Sequence, residues 1–134
     1  MKKERIIILL RALRVNQWIK NLVVYTAIIF SGTLFIQEAF LKSTYAFFVL
    51  CLLSSTSYVL NDIIDYPYDK KHPIKKFRPI AAGKITIPEA TFIVFILTLV
   101  SLIAALFFSL PFFFLSLIFI LLHFFYSLNL KRRP

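Results

Sequence analysis

Four long apolar runs, at 22–36, 43–60, 87–108 and 110–128, divide the chain. Each approaches the roughly 20 residues that a spanning helix needs, although the first is short unless flanking polar residues extend it. The pattern predicts an all-α, polytopic membrane fold with four transmembrane helices. Ahead of them, residues 3–18 carry the apolar run 6–10, then Arg11 and Arg14, and predict an interfacial helix with Trp18 at headgroup depth. Short outer connections at Gln37-Glu38 and Ser109-Leu110-Pro111 make two antiparallel hairpins. Between the hairpins lies a polar loop, 61–86. Pro73 and Pro79 push His72 and Arg78 toward extended backbone, and Gly83 offers a left-handed turn. Thr86-Ile87-Pro88-Glu89 reads as a capping box, with Glu89 reaching back, so the third span starts near Ile87.

Composition supports lipid as the main solvent. Apolar residues make up 60% of the chain, against about 45–50% in soluble domains. The net charge of +10 would suit nucleic acid, but its distribution does not. Fifteen of the 16 basic residues precede the first span, fall between spans two and three, or follow span four; Lys42 alone lies on the other side. This asymmetry puts both termini and the 61–86 loop in the cytoplasm, against the inner face of the cytoplasmic membrane. The basic excess then serves topology and contact with anionic lipid. The single cysteine, Cys51, reads as a small core residue. No small-residue cleavage site follows the basic start, which argues against a cleaved signal peptide.

The remaining polar residues concentrate chemistry. Asp62, Asp65 and Asp69 are half of the six acidic residues and lie within eight positions. If the second span continues helically, roughly 100° per residue places all three within about 60° of arc. Such carboxylates repel one another unless a cation sits among them, and oxygen-only ligands suit Mg²⁺. The plainer reading is a solvated helix end. Acids at the end of an apolar span are costly unless used, which favours a site. A kink at Pro67 would turn Asp69 away, leaving Asp62 and Asp65 as the firmer metal pair.

Lys70, Lys71, His72, Lys75, Lys76 and Arg78 follow directly. They read either as topology signals or as a phosphate clamp, with Arg a bidentate fork and Lys point charges. A second polar group, Gln17, Lys20 and Asn21, has the i, i+3, i+4 spacing of one helix face and serves either as an interfacial anchor or as part of the same pocket. His123, with Tyr126 three residues on, is expected to be a hydrogen-bonded core residue.

At these residues the sequence resembles the UbiA superfamily of intramembrane prenyltransferases. Asn61, Asp62, Asp65 and Asp69 match its first motif, Asn-Asp-x-x-Asp-x-x-x-Asp. The flanks Arg14…Gln17-Trp18-x-Lys20-Asn21 and His72-Pro73-x-Lys75-Lys76-x-Arg78-Pro79-Ile80-Ala81-Ala82-Gly83 look most like the decaprenyl-phosphate phosphoribosyltransferase branch. The resemblance implies a Mg²⁺-dependent transferase that takes phosphoribosyl pyrophosphate as donor and polyprenyl phosphate as acceptor, and releases pyrophosphate. It implies metal ligation by Asp62, Asp65 and Asp69, and catalytic roles for Asp62, Asp65 and Lys75. Substrate contacts would come from Asn61, Lys71, His72, Lys76, Arg78, Gln17, Lys20 and Asn21. Family members have around nine spans and a second polar motif, so the four spans here correspond to an N-terminal half, inactive without its partner half. Two alternatives stay open: prenyl transfer from a polyprenyl diphosphate to a small acceptor, and a non-catalytic four-helix membrane protein or transporter.

Overall fold

The computed structural model describes residues 2–130, and these form only helices and turns. In chain order they are α1 (Lys2–Leu13), a 3₁₀ helix (Val15–Tyr25), α2 (Thr26–Phe30), α3 (Gln37–Ile64), α4 (Tyr66–Asp69), a short 3₁₀ turn (Lys75–Phe77), α5 (Ile87–Phe108), α6 (Leu110–Phe125) and a π-helical turn (Tyr126–Leu130). The expected basic terminus Lys131, Arg132, Arg133 lies outside the described residues.

Among the described residues, three helices are long and apolar enough to cross a membrane: α3, α5, and α6 with its continuation to Leu128. The expected fourth, at 22–36, is not one of them. That segment is divided between the 3₁₀ helix and α2, and α2 stops at Phe30. Polar anchors explain the departure. The Trp18 indole donates to Ser55 Oγ (2.9 Å), the Asn21 amide donates to Ser54 Oγ (3.3 Å), and the Tyr25 hydroxyl meets Thr44 Oγ1 (2.7 Å). From Trp18 to Tyr25 the chain must keep pace with the α3 stretch from Ser55 back to Thr44. That stretch is about 16 Å long at an α-helical rise. The seven steps from Trp18 to Tyr25 cover about 14 Å at the 3₁₀ rise, but only about 10 Å as an α-helix. Val15, Trp18, Asn21 and Val24, every third residue, are half-buried, as are Gln17 and Tyr25.

The tighter period also corrects the expected polar face. Residues three apart eclipse in a 3₁₀ helix, so Gln17 and Lys20 share a side while Asn21 turns onto α3. The interfacial helix ends at Leu13, short of 18, because Arg14 takes a left-handed backbone (φ 53°, ψ 50°). At the other end of α3, Gln37 and Glu38 form its first turn instead of a loop, and Glu38 pairs with Lys42 (2.9 Å).

The boundaries of α5 and α6 follow their caps. Thr86 Oγ1 accepts from the Glu89 N–H (3.3 Å), and Ser109 Oγ accepts from the Phe112 N–H (3.2 Å). Only half of the expected capping box forms, since the Glu89 carboxylate pairs with Arg5. Gly83 has the expected positive φ, 79°.

Helix α3 is the hub. Of its most apolar stretch 39% is buried, against 11% for α5 and for α6. One cluster, Val49, Leu53 and Ala105, joins α3 to α5 and takes in Phe112, Phe113 and Phe119 of α6. A second, Ala12, Val59, Ile80, Ile85 and Ala90, draws α1, α3, α5 and the polar loop together. Ala90 and Ala105 are fully buried; such small residues let helix backbones approach closely in lipid. Outward-facing Phe92, Phe95, Phe107, Leu115 and Leu121 are each more than half exposed. Such a surface suits lipid or other helices.

Cysteine scanning of 15–25 in a Cys51→Ala background tests the 3₁₀ assignment. Protection from a maleimide is expected at 15, 18, 21 and 24; protection recurring with a 3.6-residue period would contradict it.

Candidate active site

The acidic motif forms where α3 ends. The helix continues past the apolar run and carries Asn61 and Asp62. Pro67 cannot donate, yet the turn is kept around it: the Asp65 N–H bonds to the Asn61 carbonyl (2.9 Å), and the Asp69 N–H to the Asp65 carbonyl (2.8 Å). The proline falls in the first turn of α4, where a missing N–H costs little. Asp69 therefore stays with the other acids. All three carboxylates are buried, with Asp62, Asp65 and Asp69 exposed by 3%, 7% and 2%.

Buried charge costs several kcal/mol per ion unless it is paired. Here arginines supply the pairing. Arg14 Nη2 donates to Asp62 Oδ1 (2.8 Å). Arg78 Nη1 reaches both Asp62 Oδ1 (3.3 Å) and Asp69 Oδ2 (3.2 Å). Arg78 thus folds the basic loop back over the acids, and buried Ile80 and Ile85 hold it down against Val59 and Ala90. Helix α1 straps the loop from outside: Arg5 donates to the Lys84 carbonyl (2.8 Å), and Arg11 to that of Phe77 (3.4 Å).

The other expected site residues divide into groups. His72 Nδ1 accepts from the Ile74 and Lys75 N–H groups (3.0 and 3.1 Å), so this ring shapes the loop. Lys75 is half-buried, while Lys71 and Lys76 are exposed. Lys76 lies over the Phe77 ring. Asn61 Oδ1 accepts from the Ser127 hydroxyl (3.4 Å), tying the end of α6 to the motif. Asn21 is committed to Ser54 and Cys51 on α3, and Lys20 is exposed. His123 is hydrogen-bonded, to the Phe119 carbonyl (2.9 Å), but is exposed and so is not a core residue.

Arg14 is the residue of this charged cluster that charge counting passes over. It is the only non-glycine with positive φ among the described residues, and such backbone is uncommon outside constrained sites. Its guanidinium pairs with Asp62 and lies 4.8 Å from the centroid of the Tyr58 ring. The signal was its place at the head of the Gln17-Trp18 flank.

Three buried carboxylates form an all-oxygen donor set, which fits a hard cation in kind. Among the described residues, however, no three acidic, histidine or cysteine side chains converge to hold an ion by themselves. Mg²⁺ typically needs only one or two carboxylates when phosphates complete its shell. The site therefore fits an ion that arrives with a phosphate ligand. A larger cavity of about 560 Å³, between Tyr45 and Phe108, lies at the opposite end of α3 and α5, away from this chemistry.

The UbiA prenyltransferase family matches residues 18–134. The chain belongs to that family. It is 39% identical over 84 residues to a decaprenyl-phosphate phosphoribosyltransferase of Corynebacterium glutamicum, covering 61% of this chain and 25% of the relative. The same enzyme of Mycolicibacterium smegmatis is 44% identical over 85 residues, covering 60% and 26%. Protein y4nM of Sinorhizobium fredii is 30% identical over 123 residues, covering 92% and 24%. A solved structure concerned with digeranylgeranylglyceryl phosphate synthase superposes with a TM-score of 0.81 at 28% identity, covering 96% of this chain and 45% of that one. The chain thus spans about a quarter of the length of these curated relatives. Family membership and the three apolar helices together mark an integral membrane protein.

Arg78→Gln is expected to free the loop from the acids. Trypsin should then cut at Lys70–Lys76 at least tenfold faster than in the unaltered protein. Equal rates would mean that Arg78 does not hold the loop.

Proposed function

We propose that this chain forms one half of the active site of a Mg²⁺-dependent transferase, which moves phosphoribosyl from phosphoribosyl pyrophosphate to polyprenyl phosphate. The observation that carries the reading is the basic loop closed over buried acids by Arg78. Relatives at 39–44% identity that bear the name decaprenyl-phosphate phosphoribosyltransferase support phosphoribosyl as the group moved and a polyprenyl phosphate as acceptor.

In this reading the bond from the ribose anomeric carbon to pyrophosphate breaks, and its electron pair leaves with pyrophosphate. An oxygen of the lipid phosphate, already deprotonated, forms the new bond, so no general base is required. Asp62 and Asp65, with Asp69 beside them, hold Mg²⁺, which when bound offsets charge on the departing group. Lys75 and Arg78 share that load, and Lys71 and Lys76 draw the polyanion in. Asn61 and Arg14 line the acceptor side. Gln17 and Lys20, on the other face of the 3₁₀ helix, anchor it at the headgroups, and His72 keeps the loop in shape. The loop 61–86 and both termini face the cytoplasm, where the polar donor is dissolved, and the chain sits in the cytoplasmic membrane. A second polar motif comes from further helices packed on the exposed apolar faces. Without them the chain binds its ligands and does not turn over.

A second reading is prenyl transfer from a polyprenyl diphosphate, favoured by the 0.81 TM-score likeness to the structure concerned with digeranylgeranylglyceryl phosphate synthase. Membranes containing the protein together with the helices that complete it distinguish the two. With Mg²⁺, labelled phosphoribosyl pyrophosphate and polyprenyl phosphate, pyrophosphate release is expected, and Asp62→Asn should lower it by at least about 100-fold. Release from a prenyl diphosphate instead, with none from phosphoribosyl pyrophosphate, would overturn the first reading in favour of the second.

A further inference from the structure

Arg78 and a metal ion would need the same oxygens. A single guanidinium nitrogen of Arg78, Nη1, lies 3.3 Å from Asp62 Oδ1 and 3.2 Å from Asp69 Oδ2. It stands between two of the three acids, on lone pairs that a cation would use. Arg14, the other cation on Asp62, is placed differently. It makes one shorter contact, 2.8 Å to the same Oδ1, lies against the Tyr58 ring and is set by a left-handed backbone. Arg78 hangs from extended backbone (φ −61°, ψ 144°) where the short 3₁₀ turn ends, and both its contacts are at the long end of the hydrogen-bond range. Of the two arginines, Arg78 is the one able to let go.

We infer that Arg78 is an exchangeable counter-ion: it holds Asp62 and Asp69 until a divalent cation arrives with pyrophosphate, then passes to a pyrophosphate oxygen as the cation takes the acids. The inference rests on the reading that these acids hold Mg²⁺, and it states how that site is loaded. Charge pairing makes the two ligands depend on each other. A bare divalent ion would leave the Arg78 guanidinium, only 29% exposed, beside a second cation and without an anion. Buried charge without a partner costs several kcal/mol. Bare pyrophosphate would meet three buried carboxylates of its own sign. Only the two together leave every charge with a partner, and a guanidinium suits phosphate oxygens as well as carboxylates. Ion and polyphosphate therefore enter as a unit. They also leave as one, because Arg78 returns to the acids as pyrophosphate departs. Arg78 is then a positioning residue that couples two ligands.

The test is binding of Mn²⁺, a paramagnetic substitute for Mg²⁺, to the 134-residue chain in phosphatidylcholine nanodiscs. The unaltered chain should bind the 1:1 Mn²⁺–pyrophosphate complex at least tenfold more tightly than Mn²⁺ alone. Arg78→Gln should bind Mn²⁺ alone at least fivefold more tightly than the unaltered chain does, and its preference for the complex should fall below threefold. Lys84→Gln, which removes an exposed cation of the same loop, should change either affinity by less than twofold. A second measurement needs no variant. Phenylglyoxal labelling of Arg78, read by mass spectrometry, should speed up at least threefold in saturating Mn²⁺ and fall below its starting rate with the complex. Arg78→Gln binding Mn²⁺ no more tightly than the unaltered chain would overturn the inference. So would equal tightening in Lys84→Gln, which assigns the effect to net charge, or a labelling rate indifferent to Mn²⁺. Failure of every form to bind Mn²⁺, alone or with pyrophosphate, would remove the Mg²⁺ reading itself and the inference with it. Both candidate donors carry pyrophosphate, so the outcome is independent of which group is transferred.

Discussion

A buried aspartate at the end of an apolar helix organises the charged end of this protein. Asp62 is almost wholly enclosed, and two arginines from distant parts of the sequence converge on one of its oxygens. Arg14 comes from the junction of α1 and the 3₁₀ helix, and Arg78 from the loop before α5. A carboxylate in that position is untenable without partners, and partners so placed fix the path of three segments at once. The strap of α1, the closed loop and the left-handed turn at Arg14 all follow from the need to bring cations to this point.

The second constraint is length matching along α3. Ser55, Ser54 and Thr44 form a column of polar partners inside an apolar helix, and Trp18, Asn21 and Tyr25 must meet them in order. Hydrogen bonds inside an apolar environment are expensive to leave unmade. The backbone of the segment before α3 stretches into a 3₁₀ helix to make them. This ties the entry of the chain into the membrane to the same helix that presents the acidic motif.

Much of this was legible in the residues. Thr86, two residues before a proline, marked the start of α5, because caps act locally and independently of packing. The clustering of Asp62, Asp65 and Asp69 followed from helical geometry, and it survived Pro67 because the proline falls in a first turn. What the residues concealed was tertiary. The spacing of Gln17, Lys20 and Asn21 suggested an α-helical face, and only the register against α3 reveals a 3₁₀ period. Glu89 looked committed to its own cap until Arg5, far away in sequence, claimed it. Arg14 was one cation among many, and its place between Asp62 and Tyr58 depends on a backbone conformation that composition does not encode.

Because the arrangement rests on Arg14 and Asp62 acting together, a double-mutant cycle tests it most directly. Arg14→Gln, Asp62→Asn and the double variant would be unfolded reversibly in mixed micelles. The account predicts a coupling of roughly 1–3 kcal/mol, with the double variant less impaired than the sum of the singles. Additivity within about 0.5 kcal/mol would contradict it, leaving the charged end of the protein to be organised by something other than this pair.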